Sequence, residues 1–159
     1  MSPALIAVVV FVVGAVLVGI VYGRSAGALL SLDPGESVLI DESPVRVDSV
    51  SPIRSVVNGK CRVLVSDRRI IITQKPVFGK SYNVPRFVIT FTEGGERMEL
   101  GSSLKQGATQ FSLPKSSLKI EEKGSKSFIT FPIPDSALTR NQKVVIRTTH
   151  PQEFAKLIG

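Results

Sequence analysis

A chain of 159 residues has room for one ordinary domain and a short appendage, which excludes two full domains. Its formal net charge of +7 favours partners of negative charge, such as anionic lipid, nucleic acid or an acidic protein surface, and the sign alone does not choose among them. A single cysteine, Cys61, excludes an internal disulfide, so the domain depends on its own apolar core, as in a chain of a reducing compartment.

The first element is apolar. From Met1 to Gly23 no side chain is charged at neutral pH, and positions 4–22 form a run of 19 residues of which ten are Val or Ile. As a helix this run is about 28 Å long, close to the ~30 Å hydrocarbon core of a bilayer. Val and Ile suit strands in water, but in lipid each backbone group must bond within its own segment, and helix wins. Residues 1–24 are therefore expected to be a transmembrane anchor, with Tyr22 and Arg24 at its water boundary. A secretory signal peptide is the competing reading, and Ala26-Gly27-Ala28 offers a cleavage site. No positive n-region precedes the run, however, and the run exceeds the ~7–15 residues of a signal core. With cations only behind the span, the positive-inside rule expects a single-pass cell-membrane protein with its C-terminal domain in the cytoplasm. Ala15, Gly19 and Gly23 recur every four residues and form a small-residue stripe for helix packing, or reflect the general abundance of Gly in membrane helices.

Residues 25–31 read as a linker, and residues 32–159 as one mostly β domain. Short apolar runs alternate with Gly, Pro, Asn, Asp and Ser, the pattern of a sandwich or small barrel. Strands are predicted at 37–41, 46–50, 60–65, 69–73, 87–92, 96–100, 118–121, 128–131 and 144–148. The adjacent Asp41 and Glu42 would project to different faces if extended, and a surface loop is the expected account of them. Glu93-Gly94-Gly95-Glu96 is expected to turn a hairpin, since Gly tolerates positive φ.

The charge is concentrated in one place. Between Arg54 and Arg86 lie eight basic residues and one acid, Asp67, so this segment alone carries +7. The period of two places Lys60 and Arg62 on one face of their strand and Cys61, Val63 and Val65 on the other, the first wet and the second core. Lys60, Arg62, Arg68 and Arg69 are the candidate contacts to lipid headgroups or to a partner protein. The alternative is a solvated edge whose cations discourage wrong strand pairing.

The last segment leaves the strand pattern. Pro151 fits a first helical position and Glu153 the positive helix end, while Phe154, Leu157 and Ile158 share a face, so an amphipathic closing helix is expected. His150, the only histidine, is expected to mark its boundary.

Three stretches carry a resemblance. Leu32-Asp33-Pro34-Gly35-Glu36-Ser37-Val38-Leu39, the segment from Gly59 to Ile72 with its Ser66-Asp67-Arg68-Arg69 turn, and the segment from Val144 to Phe154 resemble the opening, an early hairpin and the closing strand and helix of the pleckstrin-homology-like superfamily, in particular its GRAM and bacterial branches. The resemblance implies a small β-barrel closed by a C-terminal helix and a binding or adaptor module. Residues 101–142 depart from the compact middle of that family. Its phosphoinositide-binding members hold lipid with basic residues of an early hairpin, which Lys60 and Arg62 resemble loosely, the full spaced motif being absent.

No catalytic motif is present. One His, one Cys and scattered carboxylates supply neither a tuned acid and base nor a ligand cluster, so no enzyme activity, cofactor or metal is expected. The expected function is a membrane-tethered, non-catalytic module that contacts anionic lipid headgroups or a partner protein. The alternative is an accessory structural subunit of a larger membrane complex, contacted through the Ala15, Gly19, Gly23 stripe and residues 101–142. Nucleic acid is not expected as a partner, because few aromatic rings lie near the basic cluster.

Overall fold

The computed structural model describes residues 6, 10–13, 31–50, 58–76, 81–92, 108–134 and 142–158. Eight strands follow one another in the chain: β1 (Val38–Val50), β2 (Asn58–Ser66), β3 (Arg69–Gln74), β4 (Val84–Thr92), β5 (Thr109–Pro114), β6 (Lys119–Lys123), β7 (Lys126–Pro132) and β8 (Lys143–Thr148). Helix α1 (Pro151–Ile158) closes the series. They form one curled sheet, a half-barrel, in the order β5-β4-β3-β2-β1-β8-β7-β6. Every neighbouring pair is antiparallel except β4 and β5, which run parallel. The mostly β class and the closing helix agree with expectation.

Alternation decides what lies inside. Cys61, Val63 and Val65 of β2 point into the core, as do Ile70 and Ile72 of β3, Phe87 and Ile89 of β4, Ile129 and Phe131 of β7, and Val144 and Ile146 of β8. The rings of Phe87 and Phe111 meet edge to face at 6.4 Å, an arrangement that aromatic quadrupoles favour. Phe154 and Leu157 of α1 are buried in the same core. Pro151 opens the helix and Glu153 lies in its first turn, as expected; His150 precedes it, and its carbonyl accepts from Phe154 N. Ile71 and Val88, which alternate to the opposite face, form a second and smaller apolar cluster with Ala108 and Leu64.

The expected loop at Asp41 and Glu42 is not there. The two strands predicted at 37–41 and 46–50 are one strand, β1, whose register against β2 shifts between Val38 and Ile40 and again, at a bulge, between Glu42 and Val45. Between the pairs Glu42↔Val63 and Val45↔Cys61, β1 advances three residues while β2 advances two. The extra residue shifts the phase of the alternation. Ile40 points inward before the bulge, and Val45 and Val47 point inward after it, so Arg46 and Asp48 face out. A strict two-residue period continued from Ile40 would have turned Arg46 into the core. Pro44, which has no N–H for a ladder, sits in this bulge.

The bulge is also where β1 changes partners. Residues 38–42 pair with β2 alone, whereas Arg46, Val47 and Asp48 pair with β2 on one side and β8 on the other. One long strand thereby joins the β1–β4 meander to the β6–β8 meander.

The sequence predicts no strand at β5, where Phe111 and Leu113 alone are buried between Thr109 and Pro114. The predicted strand 96–100, the hairpin at 93–96 and the small-residue stripe of Ala15, Gly19 and Gly23 lie outside the described residues. Of the segment expected to be an anchor, residues 6 and 10–13 are described as helical, with exposed side chains. Among the described residues no helix is long and apolar enough to cross a membrane.

Candidate functional site

The basic hairpin β2–β3 is built as its alternation demands, but its cations do not share one fate. Arg62 lies on the outer face and is held by Asp41 of β1: Nε donates to Oδ1 at 2.7 Å and Nη2 to Oδ2 at 2.6 Å. The Arg62 hydrogen bond holds the Asp41 carboxyl below its ordinary value, against the opposing effect of burial. Both side chains are over two-fifths exposed, so the pair contributes about 1 kcal/mol or less.

Arg69 is not a surface residue. Its side chain is 12% exposed and the Glu36 side chain it meets is fully buried. Arg69 Nε donates to Glu36 Oε1 at 2.9 Å and Nη2 to Oε2 at 2.7 Å, a fork matched to a carboxylate. Nη2 also donates to the Ser31 carbonyl at 2.7 Å. The Ser66 hydroxyl donates to Glu36 Oε1 and accepts from the backbone N–H groups of Arg68 and Arg69, which folds the β2–β3 turn. The hydrogen bonds from Arg69, first, then those from Ser66 and the Asp33 backbone, bring the Glu36 carboxyl down to about 2 from an ordinary 4.5 although burial opposes them. Glu36 in turn accepts from Asp33 N at 2.8 Å, across a turn in which Gly35 takes a φ of 80°. Ser37 N donates to Asp67 Oδ1 at 3.0 Å, and Asp67 N to the Ser37 carbonyl at 3.1 Å. The Asp-Pro-Gly-Glu opening and the Ser-Asp-Arg-Arg turn are therefore halves of one locked structure.

Lys60 and Arg68 are exposed, and among the described residues neither side chain forms an ion pair. Elsewhere in the basic segment, Lys75 lies over the Tyr82 ring at 4.8 Å and Arg86 Nε donates to Gln74 Oε1 at 2.8 Å. Arg54 and Lys80 lie outside the described residues. The sequence-local surplus of +7 is thus partly neutralised by Asp33, Glu36 and Asp41, which reach the hairpin from the chain preceding it.

Cations from outside the hairpin join it instead. The register sets Arg46 of β1 directly opposite Lys60 of β2 on one side and Arg147 of β8 on the other. Directly paired residues of neighbouring strands project from the same face, so the three form one cross-strand cationic row. Arg46 Nε donates to Asp48 at 3.0 Å, while among the described residues Lys60 and Arg147 have no carboxylate partner. A pocket of about 390 Å³ opens along the row, lined by Lys60, Arg46, Arg147, Glu42 and Thr149 among others. A second, of about 230 Å³, shares Arg46 and Arg147 and adds Asp48, Lys126 and Phe128. Sequence alternation could have marked Arg46 and Arg147 as outward, but no local signal made β1 the neighbour of β8.

Glu42 closes the rim of the first pocket. Its Oε2 accepts from Thr148 Oγ1 at 2.9 Å, and its Oε1 from Thr149 N at 3.0 Å and Thr149 Oγ1 at 2.7 Å. These bonds continue the link between β1 and β8 just past the last ladder pair, Arg46↔Arg147. Cys61 faces the core as expected, and burial first of all pushes its thiol up to about 11 from 9.0. A thiol so poorly ionised is a weak nucleophile. Among the described residues no three His, Cys, Asp or Glu side chains gather to hold a metal ion.

No family model matches the chain, and no curated protein or solved structure matches it.

Proposed function

We propose that the chain is a membrane-tethered, non-catalytic β module that rests a cationic sheet face on anionic lipid headgroups. The observation that carries this reading is the row of Lys60, Arg46 and Arg147: like charges directly opposite one another on adjacent strands cost stability, and an external anion offsets that cost. A domain held beside a bilayer meets such anions at high effective concentration, and each Lys or Arg near the surface is worth about 1 kcal/mol. Tethering rests on the 1–24 segment, uncharged up to Arg24, and the helical, exposed apolar side chains of Ile6, Val10, Phe11, Val12 and Val13 support it. The pleckstrin-homology-like reading is supported by an antiparallel β1–β4 meander, a second meander β6–β8 returning beside β1, and a helix after the last strand.

The geometry changes which residues belong to the surface. Arg69 locks the fold and leaves the candidate set. Lys60 and Arg68 stay in it, Arg62 contributes less because Asp41 shares its charge, and Arg46 and Arg147 enter it. The test is cosedimentation of residues 31–159, first shown to melt cooperatively, with phosphatidylcholine vesicles carrying increasing phosphatidylserine. Binding that grows with phosphatidylserine and weakens with salt is expected. Replacing Arg46, Lys60 and Arg147 together by Gln is expected to weaken it about a hundredfold. Absence of binding at low salt refutes the lipid surface and turns attention to a role as accessory subunit of a membrane complex. Extraction of the full chain by alkaline carbonate tests the tether separately: a spanning chain stays in the pellet.

A further inference from the structure

The sheet carries one apolar corner that its core does not use. Outside residues 6–13, the exposed large apolar side chains of the described residues are three: Leu32 at 39%, Val38 at 45% and Leu39 at 44%. They lie where the chain enters the domain, and the fold holds them at one end of the sheet. Val38 pairs with Ser66, and directly paired residues project from one face, so Val38 shares the outer face with Leu64, two residues before Ser66. Leu39 falls in the register shift between Val38 and Ile40. Leu32 lines a cavity of about 330 Å³ with Arg62, Leu64, Ile71 and Thr73. Arg68 stands at the same corner, exposed and outside any ion pair among the described residues; its Nη2 is 3.9 Å from the place a Cβ on Gly35 would take.

The entry of the chain says what covers this corner. Arg69 Nη2 donates to the Ser31 carbonyl at 2.7 Å, and Arg69 is itself forked onto Glu36, so the entering chain is pinned to the β2–β3 turn. Residues 25–31 separate the pin from the apolar run, and seven residues reach at most about 25 Å. The corner is thereby kept beside the point where an anchor at 1–24 leaves the bilayer. Its chemistry matches that place. Apolar tips sink about 5–10 Å into the boundary between headgroups and acyl chains, and a cation beside them stays at headgroup level. A second copy of the chain is a poorer match, because three side chains fall short of the about 1,200–2,000 Å² that a stable pair buries.

We propose that the corner of Leu32, Val38 and Leu39 inserts into the interfacial zone of the bilayer that the chain's own N-terminal segment crosses, and so fixes the orientation of the domain. The inference rests on the tether reading and goes beyond the electrostatic one, because apolar insertion needs no anionic lipid. The outer positions of β2 run from Leu64 at the corner through Arg62 to Lys60, so a seated corner brings that face, with its cationic row, beside the headgroups.

The chain has no tryptophan, so one introduced Trp is the sole indole reporter. The test reads the fluorescence of the full-length variant L39W in pure phosphatidylcholine vesicles whose acyl chains are brominated near the headgroup end. Flotation of the vesicles shows that the chain is retained, and melting of each variant checks its fold. V38W repeats the reading if L39W does not melt cooperatively. The control is K119W, at an exposed position whose ladder partners lead to Asp48, nine residues along β1 from Leu39. L39W is expected to emit at shorter wavelength than K119W and to be quenched by the brominated lipid at low and at high salt, while K119W is not quenched. Adding L32S and V38S to L39W is expected to reduce the quenching.

A retained chain whose L39W is not quenched overturns the insertion and leaves the tether standing. Equal quenching of L39W and K119W, or quenching of L39W unaffected by L32S and V38S, overturns it as well. Quenching that requires phosphatidylserine and is lost in salt also overturns it, with the electrostatic reading alone surviving. A short-wavelength L39W emission that grows with protein density and resists bromine assigns the corner to a second copy instead. A chain that does not float with the vesicles removes the tether, and the insertion falls with it.

Discussion

The Glu36 carboxylate and the Arg69 guanidinium form a two-bond fork between segments thirty-three residues apart, with the Glu36 side chain sealed from solvent. Breaking a buried pair by removing one partner leaves an uncompensated charge and typically costs about 3–5 kcal/mol. Asp33 lies 3.8 Å from Arg69 and softens that loss. E36Q is therefore expected to lower the unfolding free energy by about 3 kcal/mol at neutral pH, measured by urea denaturation.

The same pair makes stability depend on acid. Glu36 titrates at about 2 in the fold and at an ordinary 4.5 when unfolded, so the folded state keeps the ionised form where the unfolded chain has taken up a proton. Its contribution is full above about pH 5 and is lost as pH falls through 4.5 toward 2, to a total of about 3 kcal/mol. Urea midpoints of wild type are expected to fall over this window and those of E36Q to lack that share of the slope. Parallel slopes in the two proteins would assign the acid sensitivity to other carboxylates.

Glu42 accepts three bonds from Thr148 and Thr149 at the corner where β8 hands over to α1. Hydrogen bonds to a charged group are worth about 1.5–3 kcal/mol each at most, and these share one carboxylate. E42A is expected to cost about 2 kcal/mol and to speed amide exchange at Thr149 and in the first turn of α1 more than in β2. Uniform acceleration across the sheet would mean that Glu42 supports global stability alone.

Arg46 and Arg147 face each other on adjacent strands, and like charges so placed are destabilising by about 0.2–1 kcal/mol. R147Q is expected to raise the melting temperature of the protein in chloride at low salt, and the gain is expected to shrink as salt screens the repulsion. A lowered melting temperature would show that Arg147 contributes more through its packing against the sheet than its charge costs.

The Cys61 thiol combines full burial with a titration point pushed up to about 11. A maleimide reagent at neutral pH is expected to label it only through opening of the sheet, so labelling in urea should follow the unfolding transition. Rapid labelling of the native protein would place β2 at a site of local opening.

Some of this was legible along the chain. Period-two alternation in β2 separated Lys60 and Arg62 from Cys61, Val63 and Val65, and the spacing of Phe154 and Leu157 after Pro151 marked the closing helix. Both are short-range signals, written in the order of adjacent residues and read against the fixed geometry of strand and helix. In the sequence the first strand reads as two, because the bulge breaks the period at Pro44, a residue that marks a strand break as readily as a bulge, and β5 is hard to read because only Phe111 and Leu113 mark its buried side.

The fate of the charges was a different matter. By itself the amino-acid sequence determined the surplus of cations, their concentration between Arg54 and Arg86, the mostly β class and the apolar N-terminal run. Only the tertiary structure decided that Arg69 is consumed by Glu36, that Arg62 is shared with Asp41, and that Arg46 and Arg147 flank each other beside Lys60. The reason is physical: a side chain's charge and hydropathy are local properties, whereas its partner depends on which strands become neighbours and in what register. For Arg46 that register turns on the extra residue of β1 between Glu42 and Val45.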